Sequence, residues 1–262
     1  EVTLPRLWKE PTRDTVLTAL ERLDPSSAPG EDGIPALLYQ TFPEYFCDRM
    51  LTQLEEMKRR GEFPPNWSKG IMRCVQKEKG NLRVDKQRPI MLLGTKGKWA
   101  TMTLKIGLED YVKAIIPPAQ RGVVQGRSMQ EHLHEVQRIQ NTGQQGCWVL
   151  MDFRKAFDTV SHHMVRAWLK KAGLQEGWIR TLLSFLRGPI SFIVGDMVTE
   201  EEIWPTGGIR QGDTLSPTLF VLLTTILCRE IARAFDDVKP FLYADDTLVW
   251  IPGGQQEVRA KL

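Results

Sequence analysis

Apolar positions recur every three to four residues in several stretches of the chain, which is the spacing that buries one face of a helix. This spacing predicts helices over four segments: residues 15–23, 43–60, 95–116 and 176–186. Three more helices are predicted over residues 128–140, 161–173 and 216–234, because each segment begins with a Ser that can cap a helix. The second of these segments also ends with a Gly that can close a helix.

Shorter apolar runs bounded by turn residues predict strands. Residues 71–75 and 88–93 flank a turn at 77–81 and are expected to form a basic β-hairpin. Residues 148–153 form an apolar run that predicts a buried strand, and two short strands are expected around Gly195-Asp196. Helices and strands mixed in this way, with no internal repeat, predict an α+β fold.

The chain has 262 residues, of which 42% are apolar and 26% charged, a balance that excludes a disordered tail, a fibrous repeat and a disulfide-rich miniprotein. Its longest mostly apolar run, residues 219–228, is about half of what crosses a bilayer, so no membrane partner is expected. The four cysteines lie far apart, which favours a reducing, intracellular compartment, either nucleus or cytoplasm. Glu1 at the start and a charged run at the end indicate a piece of a longer polypeptide.

Charge is distributed unevenly along the sequence. The whole chain carries +3, but residues 58–105 contain thirteen Lys and Arg against three acids, a local charge of +10 that leaves −7 for the rest. Such asymmetry is typical of a surface that meets a polyanion. The alternative is a solvated basic face with no partner.

Three aspartates lie beside apolar strands, where Asp is disfavoured. Asp245 and Asp246 are adjacent at the tip of a hairpin predicted over residues 239–251, and Asp152 follows the apolar run 147–151. If these strands are neighbours, the carboxylates form a cluster whose oxygens suit Mg²⁺. Two such ions about 3.5 to 4 Å apart would activate a hydroxyl and stabilise a leaving pyrophosphate. The alternatives are an ordinary acidic turn at the hairpin tip and an Asp152 that caps its own turn.

A glycine-bearing loop, residues 207–217, lies between the two carboxylate segments and runs into a predicted helix. Glycines let a backbone approach a phosphate or a base pair closely, and a helix N-terminus favours anions. The loop lacks the Lys-Ser/Thr ending of a Walker A motif, so a P-loop is not expected. By itself the pattern is also that of an ordinary loop.

Six segments, in order along the chain, resemble motifs of reverse transcriptases of the non-LTR retrotransposon (LINE-type) branch, which group II intron maturases share in looser form. The most specific is Tyr-Ala-Asp-Asp at residues 243–246, which resembles the Y-x-D-D motif. The others are residues 28–34, 88–93, 120–128, 151–158 and 208–217, so the resemblance covers about residues 25–252.

The resemblance implies a right-hand polymerase fold with fingers at residues 1–118 and a palm at residues 119–262. The palm would have an antiparallel sheet with helices on one face, and a thumb would be absent. The implied activity is RNA-directed DNA polymerisation on an RNA template with a DNA primer and deoxynucleoside triphosphates (dNTPs). Two Mg²⁺ ions, with Mn²⁺ as an alternative, are the implied cofactors, and the oligomeric state is left open.

Metal-binding roles also follow from the resemblance. It implies Asp152 and Asp245 as direct metal ligands, Asp246 as the supporting carboxylate, and the Phe153 carbonyl as a backbone ligand. The backbone amides of residues 153–157 would face the triphosphate.

Five further residues are implied to contact the incoming nucleotide. Phe157 resembles the bulky gate that excludes a ribose 2′-hydroxyl, and Arg88 resembles the arginine that clamps the triphosphate, with Lys77 as a second phosphate contact. Gln211 and Gly212 resemble the loop that packs on the nascent base pair. The alternatives are core packing for Phe157, a surface ion pair for Arg88 and a solvated Lys77.

The adjacent His162 and His163 follow a helix cap and are expected on the helix surface rather than at a metal.

A rival interpretation of the whole chain is a non-catalytic nucleic-acid-binding remnant, but such a protein gains nothing from acids clustered where a phosphate backbone would pass. An RNA-directed RNA polymerase would share the two-metal palm. Phe157 and the Tyr-Ala-Asp-Asp motif disfavour an RNA polymerase.

Overall fold

The computed structural model describes residues 7–81, 83, 86–195 and 197–262. Asp196, expected in the turn between two strands, and Asp85, counted in the basic window, lie outside these residues. Residues 1–6 of the predicted fingers also lie outside them.

Groups of helices and groups of strands follow one another along the described chain. The helices are α1 (Arg13–Glu21), α2 (Ala36–Thr41), α3 (Pro43–Arg60), α4 (Pro65–Ser68), α5 (Thr95–Ile115), α6 (Met129–Asn141), α7 (His162–Ala172), α8 (Glu176–Leu186), α9 (Ser216–Ala234) and α10 (Gln255–Lys261). The strands are β1 (Gly70–Gln76), β2 (Gln87–Leu93), β3 (Gly146–Met151), β4 (Ile190–Val194), β5 (Met197–Val198), β6 (Lys239–Tyr243) and β7 (Asp246–Pro252). This mixture of helices and strands is what the predicted α+β class requires.

The long helices begin and end where local signals predict. Pro43 opens α3, and Gly61 closes it in the left-handed region at φ 70°. Ser161 caps α7 by accepting a hydrogen bond from the His163 amide. The pattern does not predict α2 and α4, because helices of six and four residues are too short to show a period. No helix in the described part of the chain is long and apolar enough to cross a bilayer.

The residues divide into two compact units, each built from two segments of chain. The first unit takes the chain up to Tyr111 together with Phe157–Ser216, and the second takes Val112–Ala156 and Pro217–Leu262. The boundary between fingers and palm at residues 118 and 119 stays a prediction.

The first unit contains a four-stranded sheet in the order β2-β1-β4-β5. Strands β1 and β2 pair antiparallel, with Gly70 opposite Leu93 and Gln76 opposite Gln87, which confirms the predicted basic hairpin. Strand β4 joins β1 in parallel. Trp99 is buried in this unit, and its indole donates a hydrogen bond to the Val16 carbonyl oxygen at 2.8 Å.

The second unit contains an antiparallel sheet in the order β3-β7-β6. Alternate residues of β7 face opposite sides of this sheet. Val249 and Ile251 pack in a cluster with Val258 of α10, while Trp250 packs in another cluster with Ile139 of α6. The prediction of helices on one face is therefore wrong, because β7 is apolar at successive positions and buries both of its sides.

Strand β3 is more exposed than its sequence predicts. It lies at the edge of its sheet with β7 as its neighbour, and Leu150 is 82% exposed and Met151 41% exposed. The prediction of a buried strand at residues 148–153 is therefore wrong. An apolar run has the same appearance on an edge strand as on a central one, so the sequence does not distinguish them.

Candidate active site

Two of the three predicted metal-binding aspartates lie at the turn between β6 and β7. Tyr243 pairs with Asp246, so Ala244 and Asp245 form a two-residue turn, which confirms the predicted hairpin tip. Ala244 has φ 57°, the left-handed region that disfavours residues with a Cβ by about 1–2 kcal/mol. Two-residue hairpin turns with positive φ only at the first central position, type II′ turns, normally have Gly there. The aspartates thus follow a strained residue.

Asp152 follows the last residue of β3 at the same end of this sheet. Met151, the last residue of β3, pairs with Thr247, and Thr247 is next to Asp246 at the start of β7. Asp152 and Asp246 are exposed, and Asp245 is half-buried. The two strands that carry the predicted carboxylates are therefore neighbours, as the sequence analysis requires.

The carboxylate side chains do not converge on one point. Among the described residues, no three His, Cys, Asp or Glu side chains lie close enough together to hold a metal ion.

The ring of Phe153 packs edge-on against Phe220, with 5.8 Å between ring centroids. Its side chain is therefore a packing contact, and the role of its carbonyl stays a prediction.

In the first unit, the glycine-bearing loop lies against strand β2. The Gln211 carbonyl oxygen accepts a hydrogen bond from the Met91 amide at 2.7 Å. Gly212 has φ 106°, and a Cβ there would lie 2.5 Å from the Met91 carbonyl oxygen, so this close approach requires glycine. Gln211 Oε1 is buried without a hydrogen-bond partner among the described residues, and the residue lines a cavity of about 190 Å³.

The loop is fixed by Arg210, which the sequence analysis does not single out. Arg210 is 4% exposed, and its guanidinium donates to the carbonyl oxygens of Ser68 and Gly188. It also lies over the Phe185 ring, with 4.8 Å from Cζ to the ring centroid. Burial lowers the pKa of Arg210 to about 10, against a small opposing effect of Asp213. In the sequence, Arg210 appears only as an arginine before Gln-Gly, and this pattern does not indicate that its side chain is buried.

Asp213 fixes the other end of the loop at the start of α9. Its Oδ2 accepts hydrogen bonds from the amides of Leu215 at 3.0 Å and Ser216 at 3.1 Å. Its Oδ1 accepts from the Thr101 hydroxyl at 2.7 Å. Burial raises the pKa of Asp213, and the hydrogen bonds from the Thr101 hydroxyl and the Leu215 amide oppose that rise. Asp213 therefore caps the helix, a role separate from the three predicted metal-binding aspartates.

Phe157 and His162 contact the beginning of the same loop. The Phe157 carbonyl oxygen accepts from the Ile209 amide at 2.9 Å, and the Phe157 side chain is half-buried. His162 Nε2 lies 2.8 Å from the Gly208 carbonyl oxygen, and burial lowers the pKa of His162. The prediction of a surface position is wrong for His162, which is 5% exposed, whereas His163 is exposed. Helix periodicity alone does not identify the contact of His162 with a distant loop.

Arg88 and Lys77 lie on the basic hairpin of the first unit. Arg88 is an exposed residue of β2, opposite Val75. Lys77 follows β1, where its amide donates to the Lys86 carbonyl oxygen at 3.0 Å. Neither side chain forms an ion pair within the described ranges, so both charged groups are accessible to an anion.

Comparison with known proteins gives the class of this chain. Residues 75–262 match the family described as reverse transcriptase (RNA-dependent DNA polymerase), and the chain belongs to that family. A retrovirus-related Pol polyprotein from type-1 retrotransposable element R2 of Popillia japonica is 29% identical over 82% of the chain. The RNA-directed DNA polymerase from mobile element jockey of Drosophila funebris is 26% identical over 91% of the chain.

A third relative, the Pol polyprotein from type-2 retrotransposable element R2DM of Drosophila melanogaster, is 25% identical over 87% of the chain. The chain covers 30%, 27% and 21% of the lengths of these three relatives, respectively. All three are proteins of non-LTR elements. The chain is therefore a reverse transcriptase domain of the LINE-type branch, which confirms the resemblance found in its motifs.

Proposed function

We propose that this chain forms the fingers and palm of an RNA-directed DNA polymerase that extends a DNA primer on an RNA template. The observation that carries the proposal is that Asp152 directly follows β3 and Asp246 begins the neighbouring strand β7 at the same end of one sheet, with Asp245 in the adjoining turn. This arrangement occurs in a chain that belongs to the reverse transcriptase family. The proposed division is fingers at residues 1–118 and palm at residues 119–262.

The proposed cofactor is Mg²⁺, held by Asp152, Asp245 and Asp246 with the Phe153 carbonyl. The donor set suits this ion in its chemistry, because all of its donors are oxygens and the three carboxylates lie at one end of one sheet. Their side chains do not converge in the structure, so binding would require them to turn toward the ion. When bound, two such ions would lower the pKa of a primer 3′-hydroxyl and neutralise charge on the phosphates. The aspartates would hold these cations and supply the negative charge that balances them.

Other residues are proposed to orient the nucleotide. Arg88 and Lys77 present accessible cations to the triphosphate, and the fork of the arginine suits two phosphate oxygens at once. The Phe157 ring is proposed to exclude a 2′-hydroxyl. Gln211 and Gly212 are proposed to lie against the nascent base pair, a role supported by the cavity that Gln211 lines.

Primer extension by the full-length protein tests this function. With an RNA template, a DNA primer, Mg²⁺ and dNTPs, we expect template-directed DNA synthesis that stops when EDTA is added. Tight binding of template and primer without any incorporation would support the non-catalytic remnant instead. Preferential incorporation of ribonucleotides would indicate an RNA polymerase.

Arg88→Ala is expected to raise the KM for dNTPs and to slow incorporation. Loss of a charge-assisted contact with a phosphate costs about 1.5–3 kcal/mol, which corresponds to roughly a tenfold to a hundredfold loss in kcat/KM. Lys77→Ala is expected to lose less, because its ammonium makes a weaker, less directional contact. Single-nucleotide incorporation at varied dNTP concentration measures both effects.

Arg259→Ala provides the matched control, since Arg259 is exposed on α10 and is not part of the proposed nucleotide contacts. Unaltered kinetics in Arg88→Ala would show that Arg88 is an ordinary surface residue.

A further inference from the structure

The side chain of Gln120 is fully enclosed and uses every hydrogen-bonding position of its amide. Gln120 is 0% exposed. Its Nε2 donates to the Ala244 carbonyl oxygen at 3.1 Å and to Thr224 Oγ1 at 2.9 Å. Its Oε1 accepts from the amides of Ala244 at 3.0 Å and Gly122 at 2.9 Å. Because a primary amide has two donor hydrogens and an oxygen with two lone pairs, this set of contacts is complete.

The backbone on both sides of Gln120 is bound to the same hairpin. The Leu242 amide donates to the Ala119 carbonyl oxygen at 2.8 Å, and the Arg121 amide donates to the Leu242 carbonyl oxygen at 2.9 Å. These bonds form a short parallel bridge along the outer side of β6. At Gly122, a Cβ would lie 2.1 Å from the Ala244 nitrogen, so only glycine permits the approach. The segment around Gln120 is therefore shaped to reach Ala244.

Arg127 fixes this segment from behind. Its Nη1 donates to the carbonyl oxygens of Pro117 at 2.6 Å and Gln120 at 2.7 Å, and its Nη2 donates to that of Ile116 at 3.0 Å. Burial lowers the pKa of Arg127, and the nearby charge of Arg121 adds to that effect. Three backbone carbonyls bound by one guanidinium keep the Gln120 backbone from moving away from the hairpin.

Ala244 is the residue that needs such support. Its φ of 57° is unfavourable for a side chain with a Cβ, and its chain neighbour is Asp245. Gln120 binds both the N–H and the C=O of Ala244, so it orients the peptide groups on both sides of this residue. The second of these peptide groups leads directly into Asp245. Strained backbone persists where the surroundings determine it fully, as they do here.

We propose that Gln120 is a positioning residue whose side-chain amide holds Ala244 in the left-handed conformation and thereby directs the side chains of Asp245 and Asp246. The proposal rests on the proposed polymerase function of these two carboxylates. Gln120 acts through the backbone of Ala244. Loss of its amide leaves Ala244 to relax toward negative φ, which turns the aspartates that follow.

Gln120→Leu tests the proposal, because leucine keeps similar bulk and removes all four hydrogen bonds. Hydrogen exchange of the peptide covering residues 241–247 should become faster at Ala244, on the order of tenfold or more, as its amide loses an acceptor. In single-turnover reactions of the full-length protein, incorporation at saturating dNTP should fall about tenfold or more. The KM for dNTPs and the affinity for template and primer should stay unchanged.

Gln140→Leu is the matched control, since Gln140 is an exposed residue of α6 in the same unit and undergoes the same chemical change. It should leave hydrogen exchange and incorporation unchanged. If Gln120→Leu instead raises KM, weakens template binding and lowers Tm together, with Ala244 exchange unchanged, Gln120 is a packing residue and the proposal is overturned.

The double variant Gln120→Leu/Ala244→Gly separates positioning from packing. Glycine adopts positive φ without penalty, so it should restore most of the incorporation rate lost in Gln120→Leu. The single variant Ala244→Gly is measured beside it. If the fold-loss of the double variant equals the product of the fold-losses of Gln120→Leu and Ala244→Gly, glycine has restored nothing and the proposal is contradicted. If the wild-type protein shows no polymerase activity, the proposed function has failed, and hydrogen exchange at Ala244 still decides whether Gln120 holds the turn.

Discussion

Asp245→Asn is expected to abolish Mg²⁺-dependent primer extension by the full-length protein while leaving its affinity for template and primer nearly unchanged. Asparagine keeps the size of the side chain and removes its charge, so the turn at Ala244 retains its hydrogen bonds to Gln120. Interactions with a metal ion act mainly on the transition state, where they contribute several kcal/mol, so a loss on the order of a thousandfold in rate is expected. Asp152→Asn should behave in the same way.

The rate of single-nucleotide incorporation and the equilibrium binding of a labelled template–primer measure the two quantities separately. Asp236→Asn serves as the control, because Asp236 is exposed in the turn before β6 and undergoes the same loss of charge. Substantial extension by either Asp245→Asn or Asp152→Asn would refute the proposed metal-binding role.

Phe157→Val is expected to admit ribonucleotides more readily. The proposed gate excludes the 2′-hydroxyl by the bulk of the ring, and valine removes most of that bulk. The Phe157 carbonyl, which accepts from the Ile209 amide at 2.9 Å, belongs to the backbone and is retained. Discrimination between deoxy- and ribonucleotides, measured as the ratio of their kcat/KM values, should fall by about tenfold or more, as is typical of small steric changes in a pocket.

A comparison with Phe42→Val controls for the loss of an aromatic ring, since Phe42 is 56% exposed between α2 and α3. If Phe157→Val lowers the free energy of unfolding and leaves discrimination unchanged, the ring is part of the core and Phe157 is not a gate.

Local signals in the sequence predict the helices well. The bounds of α3 and α8 agree with their predictions, because an amphipathic period fixes the body of a helix and Pro43 and Gly61 fix the ends of α3. The hairpin that carries Asp245 and Asp246 is also predicted, because Asp is disfavoured inside a strand and two acids between two apolar runs therefore indicate a turn. These features depend on residues close together in the chain.

Features that depend on distant residues are not predicted. Arg210 and His162 appear as ordinary polar residues in the sequence. Each is buried against a backbone carbonyl oxygen far away in the chain, that of Ser68 for Arg210 and that of Gly208 for His162. Gln120 belongs to a segment that the motif resemblance includes, yet its contact with Ala244 spans 124 residues. The exposure of Leu150 follows from the edge position of β3, which no local pattern reveals.

The interleaved course of the chain affects the order in which the molecule can fold. The first unit needs residues up to 216 before its two segments are both present, and the second needs the segment Pro217–Leu262 to complete its sheet. During synthesis on the ribosome, α1 and α3 can pack on each other early, but α3 cannot pack on α8 until residues 176–186 have been made. A cut between residues 118 and 119 would leave each unit without part of its own core.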